Sequence, residues 1–170
     1  MKPTTVNFYS LRFSEMRAYL FAALFVAGNI VLPQLCHLIP QGGLIFLPIY
    51  FFTLIGSYKY GWKVGMLTAI ASPLLNHALF GMPAFAVLLP LIIKSTLLAL
   101  CAAWIARRFE KVSIPLLTAA VLSYQTIGSL IESAIAGSLS TGFQDFRIGI
   151  PGILLQIIGG YLLIKYFLKK

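Results

Sequence analysis

The stretch FAVLLPLIIKSTLLALCAAWIARRFEKVSIPLLTAAVLSYQTIGSLIESAIA, residues 85–136, holds two long apolar runs joined by a short loop bearing Arg107, Arg108 and Lys111. Each run reaches the ~20 mostly apolar residues that a helix needs to cross a bilayer, and a basic loop between two such runs marks a hairpin whose turn is cytoplasmic. The pattern repeats outward from this stretch. Lys2, Arg12 and Arg17 stand at one end, Lys59 and Lys63 between, and Lys165, Lys169 and Lys170 at the other end. Four basic zones thus hold eleven of the thirteen Lys and Arg, and only Lys94 and Arg147 lie elsewhere. Two crossings between successive zones predict one all-α domain over residues 1–170, a polytopic membrane protein of six transmembrane helices with both termini in the cytoplasm.

Composition agrees. The chain is 59% hydrophobic and 10% charged, with a mean hydropathy of +0.92, whereas soluble domains are ~25% charged. The net charge of +9 follows the loop pattern rather than forming a basic patch with interleaved aromatics, so nucleic acid is not an expected partner. Residues 1–17 lack the apolar core and small-residue cleavage site of a signal peptide and read as a retained cytoplasmic or interfacial arm. The expected location is the cytoplasmic (inner) membrane.

The six helices are expected at 18–35, 44–58, 62–78, 85–106, 114–136 and 148–168, with outer loops at 37–43, 79–84 and 137–147. Cys36 and Cys101 fall toward opposite ends of the bundle, too far apart to pair, and read as small buried apolar residues. The first helix carries Ala18, Ala22, Ala23 and Ala27 at small-xxx-small spacing, which permits close helix approach in lipid. That approach serves either packing inside the bundle or a docking face for a partner subunit.

The residues able to carry chemistry are polar groups within the apolar segments. Lys94 and Glu132 are ionisable there, and a charge at the bilayer centre costs ~2.5–3.5 kcal/mol, so both should face the bundle interior and each other. They either tie two helices together or meet the polar parts of a solute. Gln125, Gln156, Asn76 and His77 fall with them in the outer half or near the midplane, suggesting a polar chamber open to the outside. His77 and His37 are each either interfacial hydrogen-bonding residues or ligands. Tyr50, Phe51, Phe52, Phe80 and Phe85 could line a pocket or face lipid. No spacing suits a metal or other cofactor, and the phosphate-binding loop, the nucleophile elbow and the paired-histidine zinc motif are all missing, which disfavours an enzyme.

The run Leu47-Pro48-Ile49-Tyr50, followed by Ser72-Pro73-Leu74-Leu75-Asn76-His77-Ala78-Leu79-Phe80-Gly81-Met82-Pro83 and an apolar helix, resembles the substrate-binding S components of energy-coupling factor (ECF) vitamin transporters. The six-helix size, inside termini and alanine-spaced first helix are similar too. The resemblance implies an outward-facing, high-affinity binder of a vitamin or similar small solute, energised by a transmembrane coupling subunit and cytoplasmic ATPases. It implies that Ala18, Ala22, Ala23 and Ala27 form the docking face, and that the solute sits among the last three helices beneath the loop carrying His37, Gln41, Gly42 and Gly43. Where several members carry Glu on the fourth helix, this chain has Lys94. Cys36, His37 and His77 keep a cobalamin-like solute open, since some cobalamin-specific members use a metal-facing Cys or His. The rival from another class is a small six-helix scaffold of the cell-wall elongation machinery, which needs partners but no solute.

Overall fold

The computed structural model describes residues 8–167, so the expectations for Lys2, Lys169 and Lys170 fall outside the described residues. Those residues are mostly helical, with no strand among them. The long elements are α1 (Met16–Cys36), α4 (Trp62–Phe80), α5 (Phe85–Phe109) and α6 (Ile114–Ala136). Between α1 and α4 lie α2 (Gly42–Phe46), a 3-10 turn (Pro48–Tyr50) and α3 (Phe51–Tyr60). After α6 come α7 (Leu139–Gly142), α8 (Gln144–Ile148) and a last helical segment. That segment is α9 (Ile150–Leu154), a π-turn (Leu155–Gly159), α10 (Gly160–Leu162) and a second π-turn (Leu163–Phe167).

Three of these helices, α1, α5 and α6, are long and apolar enough to cross a membrane, with hydropathies of 1.7, 2.2 and 1.5 over their best windows. Their surfaces agree with that reading. On α6 the covered side carries Gln125, Ser129 and Ser133, while Leu122, Ile127, Leu130 and Ile135 are exposed. A helix that turns its polar groups inward and its aliphatic groups outward is arranged for lipid, where the outer solvent is apolar and backbone polarity is satisfied within the helix.

The expected second helix, 44–58, is not continuous. Leu47 sits in the left-handed region (φ 47°) ahead of Pro48, whose ring cannot donate a hydrogen bond, and the chain turns there before α3 begins. A break inside an apolar bundle leaves orphan N–H groups at the new helix start. The Asn29 side chain on α1 answers this need, its Oδ1 accepting from the Phe52 N–H at 3.2 Å. Its Nδ2 donates to Thr53 Oγ1 on α3 and to Ser72 Oγ on α4, both at 3.1 Å. Asn76 donates from Nδ2 to the Asn29 carbonyl at 2.9 Å, and Thr53 reaches Ser95 on α5 at 3.5 Å. One buried polar node thus ties four elements together.

The break is packed from the other side by the last segment. A Cβ at Gly152 would collide with the backbone of Phe46, so α9 and α2 lie backbone to backbone, a separation only glycine permits. At the opposite end Gly61, the single residue between α3 and α4, takes φ 95°. There the arm docks on the bundle: the N–H groups of Tyr9 and Leu11 donate to the carbonyls of Lys59 and Tyr60 at 2.9 and 3.4 Å, satisfying the free C-terminal carbonyls of α3. Tyr58 donates from Oη to the Lys111 carbonyl at 2.9 Å, joining the α3 end to the α5–α6 loop. The basic positions 59–63 and 107–111 therefore share one end of the bundle.

Candidate functional site

Lys94 lies in the middle of α5, 2% exposed, with its aliphatic stem laid against α6. Gly128 provides the lane: a Cβ at that position would stand 2.5 Å from Lys94 Cγ. One turn further along α6, Glu132 Oε2 is 2.5 Å from Lys94 Nζ. The expected contact between these two charges is therefore present. A third group completes it, Asp145 on α8, whose Oδ2 accepts from Nζ at 2.7 Å. The two carboxylate side chains are 17% and 13% exposed, so a triad of one ammonium and two carboxylates is largely enclosed in a bundle whose outer surface is aliphatic.

Asp145 is the residue that sequence reasoning missed. It falls in what reads as an outer loop, yet residues 137–148 fold as α7 and α8 back over the end of α6, with Ser138 capping α7 and accepting from the Thr141 N–H at 3.4 Å. The available signal is its setting: an acid between Phe143 and Phe146 in a chain with only four Asp and Glu, where a solvated loop has no need of paired aromatics. Those two rings stack at 5.8 Å, and Phe146 packs against the core of the bundle.

Beside the triad lies a cavity of about 100 Å³ bounded by Gly43, Leu47, Tyr50, Lys94, Glu132 and Asp145. Gly43 and Asp145 place segments 37–43 and 137–147 at the same end, opposite the basic positions. Tyr50 is buried and its ring meets that of Tyr124 at 5.3 Å; the Tyr124 hydroxyl in turn donates to Gln156 Oε1 at 3.0 Å. A line of aromatic and polar groups thus runs from the cavity wall to the last segment.

The eight polar residues expected to meet a solute are not gathered around this one cavity. Lys94 and Glu132 line the cavity; the other six do not. Asn76 is committed to the Asn29 node, donating to the Asn29 and Ser72 carbonyls at 2.9 Å each. His77 is half-buried and its Nδ1 lies 2.8 Å from the Pro83 carbonyl, an interfacial contact that braces the turn between α4 and α5. His37 and Gln41 are exposed, and Gln41 serves the backbone, its carbonyl accepting from Leu44 and Ile45 at the start of α2. Gln156 is held by Tyr124. Gln125 is fully buried two helical turns from Glu132, about 10 Å along α6, with neither side-chain polar atom partnered among the described residues. The cause is angular: residues of similar depth on different helices face one another only if the helix rotations agree, and depth alone does not set rotation.

The alanine face is divided in the same way. Ala18 and Ala22 are buried within the chain, so internal packing already fills that side, whereas Ala23 and Ala27 remain exposed beside Leu20, Leu24 and Val31. Cys36 and Cys101 are free thiols. Among the described residues no group of three or more His, Cys, Asp or Glu comes together as a metal site. No protein-family model, no curated protein and no solved structure matches this chain.

Proposed function

We propose that this protein is the membrane-embedded substrate-binding subunit of an uptake system, similar to an ECF S component. In this reading it crosses the cytoplasmic membrane six times with both termini inside, and captures a vitamin or similar small solute from the outer side. A separate coupling subunit and ATPases supply the energy, for which this chain carries no phosphate-binding loop. The observation that carries the reading is the triad of Lys94, Glu132 and Asp145 closed around a cavity at the end opposite the basic loops. Three ionisable groups enclosed in an apolar bundle are costly to place there, and intramembrane ionisable residues mark solute or ion sites by default. A scaffold of the cell-wall elongation machinery gains nothing from them.

Exposed Ala23 and Ala27 support a docking face on α1, since small residues at that spacing let a partner helix approach closely. Native mass spectrometry of the protein purified in detergent tests the proposal. The expected spectrum shows the chain with a discrete small-molecule adduct, and pull-down from the host membrane recovers a coupling subunit. A folded chain with neither adduct nor coupling subunit overturns it.

A further inference from the structure

We infer that the cavity beside Lys94, Glu132 and Asp145 receives a singly positive, N–H-bearing head of a small organic solute, such as an ammonium or amidinium group. This deepens the transport reading of the same site and rests on it only for the solute being cargo. The charge count sets the sign. One ammonium and two carboxylates leave an excess of one negative charge in a largely enclosed site, and an uncompensated buried charge is strongly unfavourable. A carboxylate-bearing head would double that excess; a monocation cancels it.

The hydrogen-bond inventory points the same way independently. Lys94 engages Glu132 Oε2 and Asp145 Oδ2, while Glu132 Oε1 and Asp145 Oδ1 accept no hydrogen bond among the described residues. Tyr50, 3% exposed in the wall of the same cavity, has a hydroxyl with no hydrogen bond among the described residues. The site is therefore rich in unused acceptors, and a ligand that donates is what they fit. At about 100 Å³ the cavity is smaller than the ~150 Å³ apolar cavity that holds a benzene ring, so a compact head is the part it can bury. A divalent cation fits less well, because its two charges would turn the excess of one negative charge into an excess of one positive charge.

Thermal unfolding of the purified full chain in detergent tests this with methylammonium chloride, sodium chloride and sodium acetate, each at about 50 mM so that screening is common to all arms. Methylammonium should raise the midpoint by about 2 °C or more over sodium chloride through mass action on the folded state. Sodium acetate should give no gain over sodium chloride. Asp145→Asn removes the excess charge and should abolish the methylammonium increment; Glu132→Gln removes the same charge and carries the same expectation should the first variant fail to fold. Equal midpoints in methylammonium and sodium, a larger rise with acetate, or an increment retained in Asp145→Asn overturns the inference. An anionic co-purified solute with no methylammonium response sinks the charge assignment and leaves the transport reading standing. A methylammonium response in a chain that recruits no coupling subunit does the reverse.

Discussion

At the scale of the residue, the site depends on two features that act on one side chain. Lys94 is the only cation among three charges, so Lys94→Ala leaves Glu132 and Asp145 enclosed together, and loss of one partner of a buried pair costs ~3–5 kcal/mol. Asp145→Asn instead leaves the Lys94–Glu132 pair intact and neutral as a unit, so the one hydrogen bond lost is offset by relief of the excess negative charge and the net change should stay within about 1 kcal/mol of zero. Unfolding free energies in mixed micelles should rank the two in that order; an equal or reversed cost would show that Lys94 is not the centre of the triad. Gly128 is the second feature. Gly128→Ala places a methyl 2.5 Å from Lys94 Cγ and should destabilise by ~1–3 kcal/mol as the stem is forced off its path, despite the better helix propensity of alanine. For the proposed solute, Glu132→Gln should lower affinity at least about tenfold, roughly 1.4 kcal/mol, by calorimetry on the folded variant. Unchanged affinity would make the pair a helix tie and no more.

At the scale of the element, α1 separates buried from exposed alanines along its own circumference. Ala18 and Ala22 are buried on a helix that packs against α3 and α4, which leaves little room for a larger group, while Ala23 and Ala27 face outward. Ala18→Leu or Ala22→Leu should therefore lower the stability of the isolated chain by ~1–3 kcal/mol through overpacking. Ala23→Leu with Ala27→Leu should leave that stability within about 0.5 kcal/mol, the usual range for exposed changes, yet reduce recovery of the coupling subunit on co-purification. Intact assembly in the double variant would move the docking face off α1. The broken helix at Leu47–Pro48 belongs to this scale too. It lets α2 tilt over the cavity while α3 continues down the bundle, and the cost of the break is met by Asn29 from α1 and by the close seat of α9 at Gly152.

At the scale of the whole molecule, the two ends differ in chemistry. One gathers Lys59, Lys63, Arg107, Arg108 and Lys111, closed by the Tyr58–Lys111 hydrogen bond and the docked arm; the other gathers segments 37–43 and 137–147 over the triad. Single-cysteine variants in a background lacking Cys36 and Cys101 should be labelled from outside intact cells at residues 79–84 and 137–147, and only after permeabilisation at 59–63 and 107–111, as the distribution of positive charge dictates. External labelling at position 109 would overturn the six-crossing topology.

Composition and charge spacing alone pointed to a helical chain with segments long and apolar enough to cross a membrane, because a lipid solvent imposes apolar length and basic loops on a sequence that crosses it. They also determined that Lys94 and Glu132 turn inward, since a lone charge facing lipid is too costly. Only the tertiary structure decided which polar residues meet. Asp145 joins the triad because α7 and α8 fold back over α6, a long-range event that local propensity does not encode. Gln125, Gln156, Asn76 and His77 stay out of the cavity because helix rotation fixes which face each element presents, and His37 and Gln41 because they lie exposed in the segment between α1 and α2. The same packing closes Ala18 and Ala22 inside the chain and leaves Ala23 and Ala27 open, although the four share one spacing in sequence.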